Sequence, residues 1–569
     1  MRFVALATDF DGTLAHDGIV STNTLAALER LKASGRRLLL VTGRELGDLQ
    51  SIFPRLDLFD LAVMENGGTL YFPAARREQA LADAPASSFV EACRERGVAR
   101  LSVGRVVVAT WQTEVSKILD AIHEIGLELQ VIFNKGSVMV LPPGVNKASG
   151  LAAALNHLCL SPHNVVGIGD AENDHAFLTS CECSAAVANA LPALKARADI
   201  VTKGDHGDGV VELIDALIRD DLAGAGASLC RHDILLGRSG EGNQVSFPVY
   251  GRNLLIAGSS GGGKSSITSS FVERLLEAHY QVCVIDPEGD YKELGDAVVL
   301  GEPKSPPTVE AALTVLEKPE RSAVLNLVGL RFEDRPAFFQ RLLPRLQELT
   351  IRSGRPHWTI VDEAHHMLPV DGTLPTLLPG KGFMNLALIT VRPEHVARDG
   401  VALTDALIAV GSEPDVTAQA WSAATGIPAT PVKTRLNRGH AVLWRREQAG
   451  RPVLFEVTES QTDRQRHSRK YASGELPPER SFFFRGPDGK LKLRADNLTT
   501  FLRMAEGVDD DTWQHHLRQG DYSRWVRTEI HNDELAAETE AVERDQSLSA
   551  DQSRAKIREA IAKRFTIPE

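Results

Sequence analysis

The sequence predicts an α/β protein divided into three or four domains, and three observations predict it. Apolar strands at Phe3–Thr8 and Arg37–Val41 run straight into the polar clusters Asp9-Phe10-Asp11 and Thr42-Gly43-Arg44. A later apolar strand, Asn253–Ala257, runs into a glycine-rich loop that turns into a helix. Beyond Asn497, apolar residues recur at helical spacing, which predicts a small, mostly helical C-terminal domain. At 569 residues the chain is too long for one core, and its 43% apolar content is ordinary for a globular protein.

Composition excludes some classes. A net charge of −12 gives no support for general nucleic-acid binding, although a local basic patch or pore lining stays compatible with it. No apolar run reaches the length of a membrane span. The opening MRFVALATDFDG reads as a first strand and not as a signal region, so a cytoplasmic location with no membrane partner is expected. Cys93, Cys159, Cys181, Cys183, Cys230 and Cys283 are scattered, and the close pair Cys181 and Cys183 has no matching second pair. Reduced structural thiols are the expectation.

Residues 1–220 form the first predicted domain. After the strands ending at Asp9 and Thr42 come Lys147, which opens a helix in GVNKASGL, and the strand Asn164–Ile168, which ends at Gly169-Asp170 before Glu172-Asn173-Asp174. Strand C-terminal ends are where open α/β sheets bind ligands. Asp9 can attack a phosphomonoester to give an aspartyl-phosphate. Asp11 can protonate the leaving oxygen and later activate water. Asp9, the Asp11 carbonyl and Asp170 can hold Mg²⁺, an ion that takes oxygen ligands. Thr42 and Lys147 can bind the non-bridging phosphate oxygens. Asp174, a candidate metal-site residue, would orient the metal shell or Lys147.

DFDGTL, VTGR, the lone Lys147 and GDAEND, in that order, resemble the haloacid dehalogenase (HAD) superfamily of phosphatases. MENGG at Met64–Gly68 and AAVANA at Ala185–Ala190 are similar to its sugar-phosphatase-like, Cof-type branch. The resemblance implies a Rossmann-like core with an α+β cap over about 75–143. There the sequence predicts helices near Ser87–Arg96 and Glu114–Ile125, and strands near Arg105–Thr110, Leu127–Phe133 and Ser137–Leu141. The inactive alternative is a HAD fold kept as a scaffold.

An Ala- and Gly-rich linker, Asp221–Ser228, leads to a second domain over 229–462. It opens with a β-hairpin across Gly240–Gly242. Then Gly258, Ser259, Ser260, Gly261, Gly262, Gly263, Lys264 and Ser265, with Ser266 behind them, make a phosphate loop between strand and helix. Glycines let backbone N–H groups face the phosphates of ATP. Lys264 reaches the outer phosphates, and Ser265 ligates Mg²⁺. The strand Trp358–Val361 ends in Asp362, which can hold Mg²⁺ through water, and Glu363, which can polarise the attacking water. His365 and His366 read as helix surface and not as metal ligands.

The strand Gln281–Ile285 ends in DPEGDY, and Leu386–Thr390 ends in TVRP. Together with the phosphate loop and VDEAHH these look like the HerA/FtsK class of ring ATPases, and in particular its HerA-like branch, over about Ile234 to Trp444. The resemblance implies a RecA-like domain, assembly into a ring of six subunits, and an arginine supplied by the neighbour. Arg435 and Arg438 are the candidates, with Arg392 behind them. Val391 stands where members commonly carry Gln. The alternative suggested by DEAH, a DEAH-box helicase, needs a second nucleotide-binding-like domain for which the remaining chain is too short.

Residues 463–569 begin basic, with Phe482-Phe483-Phe484 among the charges and a GPDG turn at Gly486–Gly489 between two short strands. A small hairpin with a solvated face is favoured over contact with a phosphate backbone. Helical spacing follows in Leu498, Phe501, Leu502, Trp513, Leu517, Trp525, Val526 and Ile530. His515, His516 and His531 have no convincing ligand partner, and Asp545–Phe565 reads as a linker and an amphipathic helix.

Three functions fit these residues. One is a bifunctional hydrolase: a Mg²⁺-dependent phosphatase of phosphomonoesters fused to a ring ATPase, with DNA as a candidate partner. Another is a nucleotide-switched oligomeric regulatory protein whose first domain is a small-metabolite phosphatase or an inactive scaffold. A metabolic sugar-phosphate phosphatase with the ATPase as energy sensor is a third.

Overall fold

The structure is a computed structural model that describes residues 1–562 except 135, 229, 260–261, 293, 376–384, 434, 438, 449, 459–479, 488, 490 and 531. The chain forms two compact units. The first is Met1–Lys264 with Phe271–Val457, and the second is Ser265–Ser270 with Thr458–Glu569. Among the described residues no helix is long and apolar enough to cross a membrane.

The first unit contains two large sheets. The N-terminal one uses β1 (Ala5–Thr8), β2 (Arg37–Val41), β3 (Leu61–Met64), β4 (Thr69–Phe72), β5 (Arg77–Ala80), β10 (Val165–Gly169), β11 (Cys183–Ala186) and β12 (Ile200–Val201). Their order is β12-β11-β10-β1-β2-β3-β4-β5, with β4 and β5 antiparallel at one edge and the rest parallel. Near-continuous apolar runs such as Leu38–Val41 are what a parallel strand covered on both faces requires. Thr8 pairs with Leu40 on one side and Ile168 on the other, so Asp9, Thr42 and Asp170 all emerge at the same sheet edge.

Inserted between β5 and β10 is a four-stranded antiparallel sheet: β6 (Ser102–Val103), β7 (Val108–Trp111), β8 (Gln130–Asn134) and β9 (Ser137–Leu141), in the order β6-β7-β9-β8. Its period of two decides its two faces. Val138 and Val140 pack with Phe89, Cys93 and Ile118 from the helices Ser87–Glu95 and Val115–Ile125. Met139 and Leu141 sit in a separate cluster with Val107.

The second large sheet uses β13 (Ile234–Ser239), β14 (Gln244–Phe247), β15 (Leu254–Gly258), β16 (Val282–Asp286), β17 (Val298–Leu300), β18 (Ala323–Asn326), β19 (Trp358–Val361), β20 (Leu386–Thr390), β21 (Ala406–Val410), β22 (His440–Arg445) and β23 (Val453–Val457). Their order is β14-β13-β23-β22-β21-β15-β20-β19-β16-β18-β17. The run from β21 to β17 is parallel, and β22, β23, β13 and β14 are added antiparallel.

Ala223–Ser228 is a short 3-10 run in the expected linker. The modules on either side of it share a buried polar network. Glu182, just before β11, accepts from Arg2 at 2.6 Å and from the Tyr280 hydroxyl at 2.8 Å, and lies 2.8 Å from His163 Nδ1. The other His163 nitrogen is 2.8 Å from the carbonyl of Ala278, the residue that caps the helix Lys264–Glu277. Asn164 donates to the carbonyls of Arg2 and Gly354, and its Oδ1 lies 3.1 Å from His357 Nε2. Among the described residues Cys93, Cys159, Cys181, Cys183 and Cys283 are free thiols.

In the second unit, β24 (Phe482–Phe484) pairs antiparallel with β25 (Leu493–Ala495). Helices Leu498–Gly507, Asp510–Gln519, Asp521–Trp525, Asp533–Arg544 and Ala550–Ala562 follow. Phe482 and Phe484 are core residues beside Phe501, Trp513, Tyr522 and Trp525, so these two rings are not a stacking platform for bases. His516 is buried too, with Nδ1 2.7 Å from Asp521 and Nε2 accepting from the Arg485 amide, which makes it a structural group. The basic run Arg464, Arg466, Arg469 and Lys470, together with Lys490 and His531, lies outside the described residues.

Candidate functional site

The edge formed by β1, β2 and β10 gathers Asp9, Thr42, Lys147, Asp170 and Asp174, each nearly or fully buried. Lys147 is the first residue of the helix Lys147–Leu158, whose start is fixed by Asn146 accepting from the amides of Ala148 and Ser149. Its Nζ lies 2.5 Å from Asp9 Oδ1 and 2.6 Å from Asp174 Oδ1. Asp174 Oδ2 accepts from the amides of Asp170 and Ala171 at 2.8 and 2.9 Å. Both Asp174 oxygens are therefore engaged, one on the loop after β10 and one on Lys147.

Charge is unbalanced here. Asp9, Asp170 and Asp174 offer ligand atoms within 4.8 Å of one another. Burial, and then the charges of Asp174 and Asp170, push the Asp9 carboxyl up despite Lys147. Burial alone would pull Lys147 down, but Asp174 and Asp9 outweigh it and hold the ammonium charged. Three carboxylates against one ammonium suit a divalent cation with oxygen ligands.

Thr42 Oγ1 accepts from the Arg44 amide at 3.2 Å, which leaves its own O–H to donate. Asp11 is clamped by Arg44 through Nε at 2.7 Å and a terminal nitrogen at 2.8 Å, and Arg44 also holds Asp48. These hydrogen bonds, set against burial, push the guanidinium up. A cavity of about 310 Å³ opens over the edge, lined by Asp9, Asp11, Gly43, Arg44, Ala171 and Asn173 from below and by Asn134, Ser137 and Met139 of the inserted sheet from above. Asn173 donates to Asn66 Oδ1 at 3.0 Å, while Asn173 Oδ1 and the side-chain Nδ2 of Asn66 have no partner among the described residues.

Arg44, Asn173 and the roof residues carry no role in the sequence alone. Arg44 and Asn173 sit inside VTGR and GDAEND, so their position is a signal. Asn134, Ser137 and Met139 carry none, because only the pairing of β8 with β9 turns them toward the cavity.

The second site lies in the larger sheet, at the C-terminal ends of β15, β20 and β19. Lys264 is buried, and its Nζ donates to the carbonyls of Gly258 at 2.9 Å and Ser259 at 3.4 Å. Burial pulls this ammonium down, against the charges of Glu363, Asp362 and Glu288. Asp362 is pushed up, by burial first and then by Glu363. Glu363 is pushed up by burial too, and its backbone is left-handed at φ 40. Asp286 accepts from the amides of Glu288, Gly289 and Tyr291, which folds the DPEGDY loop around it. His365 lies 3.4 Å from Glu363 and 3.4 Å from Thr390 at the end of β20.

Of the remaining residues read as nucleotide-binding, Gly262 and Gly263 precede Lys264, and Ser265 and Ser266 follow it in the helix Lys264–Glu277. Ser260, Gly261 and Arg438 lie outside the described residues. Arg435 is exposed. Arg392 lines a cavity of about 120 Å³ with Ser259, Val391, Glu394, Val410 and Glu413.

Two family profiles match. Residues 6–106 and 100–214 match the haloacid dehalogenase-like hydrolases, and residues 245–350 match the central domain of the helicase HerA. The N-terminal region is 29% identical over 225 residues to phosphoglycolate phosphatase 2 of Saccharolobus solfataricus, covering 38% of this chain and 92% of that protein. It is 31% identical over 220 residues to the phosphoglycolate phosphatase of Halorubrum lacusprofundi, covering 37% and 95%. A solved haloacid dehalogenase-like hydrolase from Bacteroides thetaiotaomicron aligns over 38% of this chain and all of its own, at 18% identity and a TM-score of 0.33.

Proposed function

Because the chain belongs, through residues 6–214, to the haloacid dehalogenase-like hydrolases, we propose that its N-terminal edge hydrolyses small phosphomonoesters through Asp9. The observation that carries this is Lys147 bridging Asp9 and Asp174 beneath the cavity. An Asp9 oxygen attacks phosphorus, the bond to the ester oxygen breaks, and Asp11 gives that oxygen its proton. Asp11 then takes a proton from water as the water attacks the aspartyl-phosphate, releasing phosphate and restoring Asp9. Thr42 and Lys147 neutralise the transferring oxygens. Arg44 has to loosen its hold on Asp11 for Asp11 to exchange protons. Mg²⁺, held by Asp9, Asp170 and the Asp11 carbonyl, would supply further positive charge at the phosphoryl oxygens. Asp174 reads better as the residue that orients Lys147.

The cavity volume, and relatives named as phosphoglycolate phosphatases, favour a small phosphorylated acid such as phosphoglycolate. The test is phosphate release from a phosphoester panel. Wild type with Mg²⁺ should turn over phosphoglycolate, and Asp9→Asn should lose at least about a thousandfold in kcat. Equal rates would remove the proposal.

For residues 229–462 we propose a RecA-like ATPase that binds MgATP through Lys264, Ser265 and Asp362, with Glu363 polarising water. Assembly into a six-membered ring, an arginine from the neighbour (Arg392, Arg435 or Arg438) and action on DNA belong to the same reading. The contact of the phosphatase core with Ala278, at the far end of the phosphate-loop helix, favours a second reading. In it, nucleotide switches assembly and sets the phosphatase. ATP turnover stimulated by DNA supports the first; nucleotide-dependent assembly with no DNA response supports the second.

A further inference from the structure

The turn after β3 has no part in the reaction above, yet it contacts Thr42, Arg44, Asn173 and Asn146 around the phosphatase site. Glu65, Asn66 and Gly67 all have left-handed backbones, at φ 50, 54 and 103. Two successive non-glycine residues in that region are held there only if surrounding contacts over-determine them. The Glu65 amide donates to the Arg44 carbonyl and the Asn66 amide to the Thr42 carbonyl, each at 3.0 Å. Asn66 Oδ1 accepts from Asn173. A Cβ on Gly67 would lie 2.0 Å from the Asn146 carbonyl, so the turn is pressed against the start of the Lys147 helix.

The Glu65 side chain points the other way, into the inserted sheet. It is 2% exposed and accepts three backbone amides: Arg105 at 2.9 Å, Val106 at 2.8 Å and Val107 at 2.9 Å. Among the described residues it has no ion-pair partner, so those amides are what compensates a buried carboxylate. The fit is close: a Cβ on Gly104 would sit 2.7 Å from Glu65 Oε2. Residues 105–107 lead directly into β7, which pairs with β9, and β9 carries the roof residues Ser137 and Met139. A Cβ on Gly43, beside Thr42, would sit 2.8 Å from the end of the Met139 side chain.

We propose that Glu65 is the latch that seats the cap on the catalytic edge, a positioning residue that sets the height of the cavity roof and so the size of the phosphoester accepted. The kinetic half of this rests on the phosphatase reading above; the structural half does not. The latch is a carboxylate on the core gripping amides of the cap, and it is anchored by the same turn that contacts Thr42, Arg44, Asn173 and Asn146. Losing the grip frees the roof without removing a group that touches phosphate.

The test uses the full chain and two variants that attack the contact from opposite sides, Glu65→Gln and Gly104→Ala. Backbone hydrogen exchange over 104–111 should speed up at least tenfold in both, with exchange in β1 and β10 unchanged. KM for phosphoglycolate should rise at least tenfold with kcat changed less than threefold, and the preference for phosphoglycolate over the bulkier p-nitrophenyl phosphate should shrink in both variants. Unchanged exchange over 104–111 in either folded variant overturns the latch. Faster exchange with an unchanged preference overturns its role in selection. If wild type hydrolyses neither ester, the phosphatase reading fails while the exchange result still decides the latch.

Discussion

At the scale of single residues, the phosphatase edge is governed by Lys147. Among the described residues it is the one ammonium within hydrogen-bonding distance of both Asp9 and Asp174, and its removal leaves three buried carboxylates facing one another. Breaking such a buried pair from one side costs about 3–5 kcal/mol, because the remaining charge is uncompensated. Lys147→Ala should therefore lower the melting temperature of the first unit, about 450 residues, by about 3–5 °C in the presence of a chelator. Added Mg²⁺ should raise it by more than it raises wild type, since the variant's carboxylates gain more from a cation that binds only the folded state. Thermal unfolding with and without Mg²⁺ checks this: equal shifts would mean that Lys147 does not compete with the cation, and no shift in either protein would deny the carboxylates a metal. Asp9, Thr42, Lys147 and Asp170 were legible because each stands in a short motif whose neighbours fix where it must lie. Glu65 is not: MENGG carries only a resemblance, and the three amides that Glu65 accepts lie about forty residues on, at the start of a predicted strand.

At the scale of elements, agreement between sequence and structure follows apolar continuity. Arg37–Val41, Ser137–Leu141, Trp358–Val361 and Leu386–Thr390 occupy the spans their residues predict, because each is an apolar run bounded by polar or turn residues. β5 went unread because Arg77-Glu78-Gln79 shows no apolar run; it exists as an edge strand paired only with β4. β6 is two exposed residues and leaves no pattern at all. The contact between the 65–67 turn and the Lys147 helix is of the same unreadable kind, and it is exacting. Gly67→Ala would place a methyl group 2.0 Å from the Asn146 carbonyl at a left-handed φ of 103. The helix start must then shift, taking the Lys147 ammonium away from Asp9. The expected result is a loss of at least about 2 kcal/mol in stability and a fall in kcat of at least about a hundredfold. Urea unfolding and phosphate release measure the two. Loss of stability with full activity would mean that the helix position does not set the Lys147 geometry.

At the scale of the molecule, the two large sheets of the first unit are joined by buried polar groups, an arrangement that an Ala/Gly linker does not announce. Glu182 is the centre: burial would push its carboxyl up, but the hydrogen bond from His163 and the charges of Arg2, His163 and His232 bring it down to about 2. A depressed acid contributes stability that is fully present above its unfolded value and lost as pH falls toward its folded one. Here that window runs from the ordinary 4.5 down to about 2, and the contribution at neutral pH is about 3 kcal/mol. Glu182→Ala removes the acceptor shared by Arg2, His163 and Tyr280, so it should destabilise neutral protein by about 3–5 kcal/mol and flatten the acid limb of the stability curve below pH 4.5. It should also separate what wild type does together. In wild type, amides of β1 and β10 and amides of β16 and β19 should lose protection from hydrogen exchange at one denaturant concentration, because the polar interface is buried only while both sheets are folded. In the variant the two sets should part. Coincident loss in both proteins, with an unchanged acid limb, would show that apolar packing alone joins the sheets and that Glu182 is incidental to it.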